Sequence, residues 1–167
     1  MDILDIIETR RSIRKFRTAP ISDDLIEKIL EAGRWAPSGQ NNQPWRFAVV
    51  RNRERLKEIS QLTRYRKIVL GAQVLIPVFI DTATIYHREK DIQGIGACLQ
   101  NMLLEIHTLG IGAVWLGEII KSNEQIKQIL GLPEKLELMA VIAMGYPDET
   151  PHATKRKELK ELIVYRD

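Results

Sequence analysis

The residues best suited to chemistry are cations near the start of the sequence. The run Arg10-Arg-Ser-Ile-Arg14 places guanidinium groups and a hydroxyl together where a predicted helix ends. Guanidinium groups bind phosphate through paired, charge-assisted hydrogen bonds, so the run predicts a phosphate site. A solvated basic surface and a nucleic-acid-binding arm fit the same spacing, and the later run Lys155-Arg-Lys157 is interpreted first as a solvated face.

A second polar group lies in the segment Ala36-Pro-Ser-Gly-Gln-Asn-Asn-Gln-Pro44, whose turn-forming residues predict a loop. Its amides, hydroxyl and carboxamides suit the polar edge of a flat heterocycle with alternating donors and acceptors. The alternative is an ordinary loop that leads into a strand with Trp45 in the core, and composition favours it. The segment Gly110–Gly117 likewise fits a plain strand punctuated by glycines, with Trp115 packed inward.

Several common catalytic patterns are missing from the sequence. The glycine pairs lack the third glycine of a dinucleotide turn, and neither a Walker A loop nor a Gly-x-Ser-x-Gly elbow occurs. His87, His107 and His152 have no ligand spacing, and Cys98 is the single cysteine, so no metal site is predicted. What remains suits an enzyme whose bound cofactor carries the chemistry.

Alternating helices and strands position these groups. Apolar spacing and capping residues predict helices over about Asp2–Arg10, Ser22–Trp35, Asn52–Leu62, Glu89–Leu109 and Ser122–Leu130, the last with a capping box at Ser122, and strands over Trp45–Val50, Ala72–Asp81, Ile111–Leu116 and Leu138–Met144. Pro77 predicts that its strand is at an edge or is bulged. The tail Ile163-Val-Tyr165 has strand propensity without a partner. We expect an α+β fold, or a three-layer α/β one, with about four or five strands flanked by helices.

Composition limits the function classes. The 167 residues fit one domain, 1–167, and the formal net charge of +3 argues against a nucleic-acid partner. The longest apolar run, Val74–Ile80, falls short of the roughly 20 residues that span a bilayer, so no membrane partner is expected. The start of the sequence does not resemble a signal peptide, and the lone cysteine favours a cytoplasmic location.

Motifs in order along the chain resemble the nitroreductase family of flavoproteins. They are Arg10-Arg-Ser-Ile-Arg-Lys-Phe16, Ala36-Pro-Ser-Gly-Gln-Asn-Asn-Gln-Pro-Trp45, Gln100-Asn-Met-Leu-Leu104 followed by Gly110-Ile-Gly-Ala-Val-Trp-Leu-Gly117, Ala143-Met-Gly-Tyr-Pro147 and the late Lys155-Arg-Lys157. The resemblance runs from about residue 3 to residue 165. It covers essentially the whole chain.

The resemblance implies an FMN-dependent oxidoreductase that takes electrons from NADH or NADPH and passes them to nitroaromatics, quinones or similar small acceptors by a ping-pong hydride transfer. It also implies a mixed or antiparallel central sheet and an intertwined homodimer with FMN at the interface. No catalytic side chain is implied beyond electrostatic support from Arg14. The implied cofactor contacts are Arg10, Arg11, Ser12 and Arg14, then Pro37, Ser38, Gly39 and Asn41 from the other subunit, the backbone of Leu116 and Gly117, and Arg156 with Lys155 or Lys157 as helpers.

The chain departs from the family pattern at two places. The late arginine follows Ala153-Thr-Lys155 where family members often carry a proline-containing stretch, and the chain has no room for the helices that cover the site in longer members. The pocket is therefore expected to be open. The rival hypotheses are a specialist of the same superfamily that does not use nicotinamide, such as a flavin-fragmenting or dehalogenating enzyme, and a flavin-binding module without turnover.

Overall fold

Helices pack on both faces of a four-stranded sheet in the computed structural model of the chain, which describes residues 2–151 and 154–167. The helices are α1 Ile3–Thr9, α2 Asp23–Arg34, α3 Arg53–Ser60, α4 Arg66–Gly71, α5 Arg88–Thr108, α6 Asn123–Leu130 and α7 Leu159–Leu162. The strands are β1 Trp45–Phe47, β2 Val74–Asp81, β3 Gly112–Leu116 and β4 Leu136–Gly145, and 3₁₀ turns cover Gly39–Asn41 and Glu118–Ser122. His152 and Ala153, which entered the sequence interpretation, lie outside the described residues.

The sheet is antiparallel throughout, in the order β1-β2-β4-β3. On one face the long helix α5 packs with α2, burying Leu99 and Met102 against the strands. On the other face Leu56 and Ile59 of α3 pack with Ile126 of α6. The predicted α+β fold with helices on both faces of the sheet is confirmed.

Pro77 lies in an inner strand, so the predicted edge position is wrong, whereas a bulge is present as a register shift between Val78 and Phe79. The Pro77 carbonyl accepts from the Ala48 N–H at 3.0 Å, on the side of β1. A residue in an antiparallel strand directs its N–H and C=O to the same side. Because Pro77 has no N–H, the hydrogen bond that it would donate toward β1 is missing. β1 therefore ends at Phe47, earlier than predicted, and pairing resumes only at an isolated bridge between Val50 and Leu75.

The predicted capping box at Ser122 is wrong. Ser122 makes no side-chain cap bond to α6, and its hydroxyl donates to the Leu62 carbonyl at 3.0 Å. The 3₁₀ turn before it already supplies the entry into α6. The end of this helix is as predicted, because Gly131 takes a left-handed conformation with φ 65°.

A pair of glycines allows the arginine run to lie on the sheet. Gly112 and Gly145 face each other across β3 and β4. A Cβ on Gly112 would lie 2.8 Å from the Ile13 Cβ, and one on Gly145 would lie 2.7 Å from the Phe16 Cβ. These contacts, with bridges from Ser12 to Ala113 and from Phe16 to Pro147, fix the segment that carries Arg10 to Arg17.

Candidate functional site

The cations of the arginine run line a cavity of about 550 Å³. Arg10, Arg11, Arg14 and Lys15 reach it from the segment after α1, and Arg156 reaches it from the far end of the chain. The Arg156 Nη1 donates to the Thr154 hydroxyl at 2.7 Å, which holds the side chain beside the cavity. The structure thus brings Arg156 to the early arginines, whereas Lys155 is not among the residues that line the cavity.

Arg10 is the best-placed of these cations for an anion. Its Nε is buried and has no hydrogen-bond partner among the described residues. Burial lowers the pKa of Arg10, and the neighbouring charges of Arg11 and Arg156 lower it further. A partly buried cation among like charges is costly unless an anion pairs with it. The donor set and the unpaired nitrogen fit a phosphate group.

Glu149 is the one carboxylate that lines this cavity among the described residues, and the motifs did not single it out. One of its oxygens accepts from the backbone N–H of Arg14 and, at 3.2 Å, from that of Lys15. The side chain therefore fixes the backbone from which Arg14 extends. The only sign of Glu149 in the sequence is that an acid closely follows Tyr146-Pro147. That spacing does not reveal that Glu149 binds the backbone of the arginine run.

Replacing Glu149 tests this role. In Glu149→Gln the amide oxygen can still accept from both N–H groups, so the segment is expected to keep its place and the anion affinity of the now more positive cavity to rise. In Glu149→Ala both N–H groups lose their acceptor, and because both are exposed to water we expect a loss of about 1 kcal/mol in the free energy of unfolding. Urea unfolding measures the stability of each variant, and titration with inorganic phosphate measures its anion affinity. Equal stabilities of Glu149→Gln and Glu149→Ala would show that Glu149 does not hold the segment.

A smaller cavity of about 350 Å³ adjoins the first and has walls of Leu103, Ile106 and Ile111. His107 lies in its lining, and its Nε2 is 2.9 Å from the Thr9 hydroxyl. That hydroxyl donates to the Asp5 carbonyl at 2.6 Å, so Nε2 must be the donor to Thr9. Burial lowers the pKa of His107, as do the nearby charges of Arg10 and Arg11, so the ring adds no further positive charge to the arginines at pH 7.

The polar loop lies elsewhere on the chain. Its residues Pro37, Ser38 and Gly39 line a separate cavity of about 380 Å³ that shares no lining residue with the arginine cavity. Gln40 and Asn41 adopt left-handed conformations with φ of 53° and 56°, and the Ser38 hydroxyl accepts from the Gln43 N–H at 3.1 Å. Within one chain, the loop and the arginine run are therefore not brought together.

A buried acid fastens this loop to α5. Asp91 is fully buried and accepts from the Asn42 side-chain amide at 2.8 Å. It also accepts from the N–H groups of Tyr86 and His87 at 3.0 and 3.1 Å. Because Asn42 directly follows Asn41, the bond from Asn42 to Asp91 also fixes the position of Asn41 relative to α5. Sequence reasoning missed this pair, since the two residues are 49 positions apart and match no motif.

Leu116 and Gly117 lie at the end of the edge strand β3, beyond the point where Ser12 of the arginine run pairs with Ala113. Gly117 lies about 13 Å along β3 from Ala113, the partner of Ser12, at the usual rise per residue. The Leu116 side chain is buried in the core, so only its backbone can face a ligand. Trp115 is 41% exposed, which shows that its predicted inward packing is wrong, whereas Trp45 is buried at 5% as the alternative interpretation expected.

Other chemistry finds little support in the described residues. They contain no group of three or more His, Cys, Asp or Glu that could hold a metal ion. Burial raises the pKa of the Cys98 thiol to about 12, so the thiol is not poised as a nucleophile. Among these residues no helix is both long and apolar enough to cross a bilayer.

Comparisons with known proteins agree with the geometry. The model of the nitroreductase family matches residues 7–73 and 60–146. A protein from Methanothermobacter thermautotrophicus, assigned as an NADH dehydrogenase/NAD(P)H nitroreductase, is 40% identical over 153 residues, which cover 90% of this chain and 80% of that protein.

Solved structures match the whole fold. A Desulfovibrio desulfuricans protein assigned as a nitroreductase, crystallised in complex with FMN, superposes with a TM-score of 0.94 and 44% identity over 100% of this chain and 98% of its own. The NADPH:FMN oxidoreductase from Vibrio harveyi, complexed with NAD⁺, gives a TM-score of 0.88 and 26% identity over 98% of this chain and 76% of its own.

Proposed function

Because the chain belongs to the nitroreductase family, we propose that it is an FMN-dependent oxidoreductase that takes electrons from NADH or NADPH. The observation that carries this proposal is the buried Arg10 Nε without a partner, in a cavity lined by several cations. A mononucleotide phosphate would complete that site. The FMN complex of the 44% identical Desulfovibrio protein supports the choice of cofactor.

In this proposal Arg10, Ser12 and Arg156 hold the phosphate end of FMN, with Arg11 and Lys155 adding positive charge nearby. Arg14 lies beside the ring, and the backbone at Leu116 and Gly117 meets its opposite edge. When bound, FMN supplies hydride transfer between the nicotinamide and the acceptor. The chain's own contribution is to place the charge of Arg14 where negative charge develops on reduction. Nitroaromatics and quinones are the acceptors we propose.

We further propose a cytoplasmic homodimer, in which the loop Pro37–Asn41 of one subunit reaches the cofactor of the other. Exposed apolar side chains support a partner surface, including Ile3 at 67%, Val164 at 99% and Tyr165 at 81%. The separation of the loop from the arginine run within one chain supports it as well. A Cβ on Gly96 of α5 would meet nothing within 4 Å, which leaves room for a second helix to approach there.

The bound chromophore and its turnover test the proposed activity. We expect the purified protein to be yellow, to release FMN on heating, and to oxidise NADH or NADPH with a quinone or a nitroarene. Mass spectrometry identifies the released ligand, and absorbance at the nicotinamide band follows turnover. FAD in place of FMN would contradict the phosphate site, and FMN without turnover would favour a flavin-binding module.

Mixed dimers test the cross-subunit loop. With Arg14→Ala in one chain and Asn41→Ala in the other, both defects fall on one site, so about half of the activity is expected to remain. With both changes in the same chain, each site is damaged once. The reverse pattern, with half of the activity kept when both changes lie in the same chain, or identical activities of the two heterodimers, would show that the loop does not serve the other subunit's cofactor.

A further inference from the structure

The cavity beside the polar loop has a second wall that the motifs do not include. Besides Pro37 and Ser38 it is lined by Tyr86 and by Lys90 of α5. Tyr86 is 39% exposed, and the Lys90 Nζ lies 5.7 Å from the centre of its ring. An aromatic surface and a cation therefore face the same open space.

Tyr86 is held at its ring and at its backbone. A Cβ on Gly39 would lie 2.2 to 2.5 Å from atoms of the ring, so the ring packs directly on the loop backbone. The Tyr86 N–H donates to the buried Asp91 at 3.0 Å. Tyr86 and Lys90 therefore keep a fixed position relative to the loop, because Asp91, which binds both Asn42 and the Tyr86 N–H, directly follows Lys90 on α5.

The charge of Lys90 is not explained by helix stability. Lys90 lies in the first turn of α5, where the helix dipole disfavours a cation. Its neighbour Arg88 pairs with Glu137, but Lys90 forms no ion pair within the part of the chain that the structure describes. The Asp91 carboxylate beside it in sequence is buried and occupied by three donors. The Lys90 ammonium lies over the Tyr86 ring and is exposed to solvent, so it can still accept an anionic ligand.

We propose that Tyr86 and Lys90 form the acceptor-binding wall of the active site and select planar acceptors that carry an anionic group. This inference rests on the proposed function, in which the loop reaches the cofactor of the other subunit. The aromatic ring of the acceptor packs on Tyr86, and the carboxylate of the acceptor lies near Lys90. For a nitroarene the overall change is ArNO₂ + NAD(P)H + H⁺ → ArNO + NAD(P)⁺ + H₂O, and the wall affects binding of the acceptor rather than this balance.

Matched acceptors test the selection. 4-Nitrobenzoate and 4-nitrobenzamide differ mainly in charge, so the ratio of their kcat/KM values reports the contribution of Lys90. For the FMN-loaded enzyme, Lys90→Gln is expected to lower that ratio about five-fold, as for a partly exposed ion pair, and Lys90→Arg to restore most of it. Tyr86→Leu is expected to lower kcat/KM for both acceptors. Lys57→Gln on α3 removes the same charge far from the motifs and serves as the control.

The outcomes separate this inference from the proposed function. An unchanged ratio in Lys90→Gln would overturn the acceptor assignment while the enzyme still turns over. A rise in KM for NADPH or NADH with an unchanged acceptor ratio would also overturn it, because the recognised anion would then be the phosphate of the donor. A wild-type protein that binds no FMN or shows no turnover would instead contradict the proposed function.

Discussion

Arg10→Ala is expected to weaken FMN binding by about 30-fold or more without lowering the stability of the cofactor-free protein. Removing one partner of a buried, hydrogen-bonded charge pair costs about 2–5 kcal/mol of binding free energy. In the cofactor-free protein the same guanidinium is partly buried, unpaired at Nε and repelled by Arg11 and Arg156. Its removal therefore relieves a cost when no anion is bound.

Titration of the apoprotein with FMN, followed by quenching of flavin fluorescence, measures the affinity, and thermal unfolding measures the stability. Arg10→Lys keeps the charge but not the paired donors, so its affinity for FMN is expected to lie between those of the wild-type protein and Arg10→Ala. Arg55→Ala, on the surface of α3, removes an equal charge as the control. An affinity within three-fold of wild type would show that Arg10 does not bind the phosphate.

Asp91→Ala is expected to lower the free energy of unfolding by about 3 kcal/mol, because the N–H groups of Tyr86 and His87 and the amide of Asn42 lose their acceptor together. For a protein of this size, that is a fall in Tm of about 6–12 °C. The loop that carries Asn41 is also released from α5, so FMN affinity is expected to fall in parallel.

Calorimetry of the Asp91 variants measures the first effect. Asp91→Asn keeps one side-chain oxygen and is expected to lose less than Asp91→Ala. Glu54→Ala provides a matched control, since Glu54 is an exposed acid in the first turn of α3 and its loss removes only a dipole interaction of a few tenths of a kcal/mol. A loss below 1 kcal/mol in Asp91→Ala would contradict the anchoring role.

The elements that could be predicted from sequence are those with a long apolar period. α5 repeats apolar residues over 21 residues and β2 is buried at every position, so local spacing was sufficient to identify both. α4 was missed because its six residues are too few to show a period and it follows a charged turn. The end of β1 depends on Pro77 in another strand, and no local rule for β1 contains that information.

The candidate site was predictable in its residue types but not in its assembly. The arginine run indicated phosphate chemistry, and the family resemblance supplied the remaining positions. Glu149 and the Asn42–Asp91 pair were missed, because each joins residues that are far apart in the sequence and belong to no shared motif. Such contacts depend on how the elements pack, which apolar spacing specifies only coarsely.

The docking of the arginine run on the Gly112–Gly145 pair also affects the order of events during synthesis. Arg14 and its partner Glu149 are 135 residues apart, so a ribosome that adds about 5–20 residues per second separates their appearance by about 7 to 27 s. During that interval the early cations have no sheet to lie on and no Arg156 beside them. A nascent chain therefore lacks the assembled arginine cavity, and under the proposed function we expect FMN to bind only after Arg156 has left the ribosome.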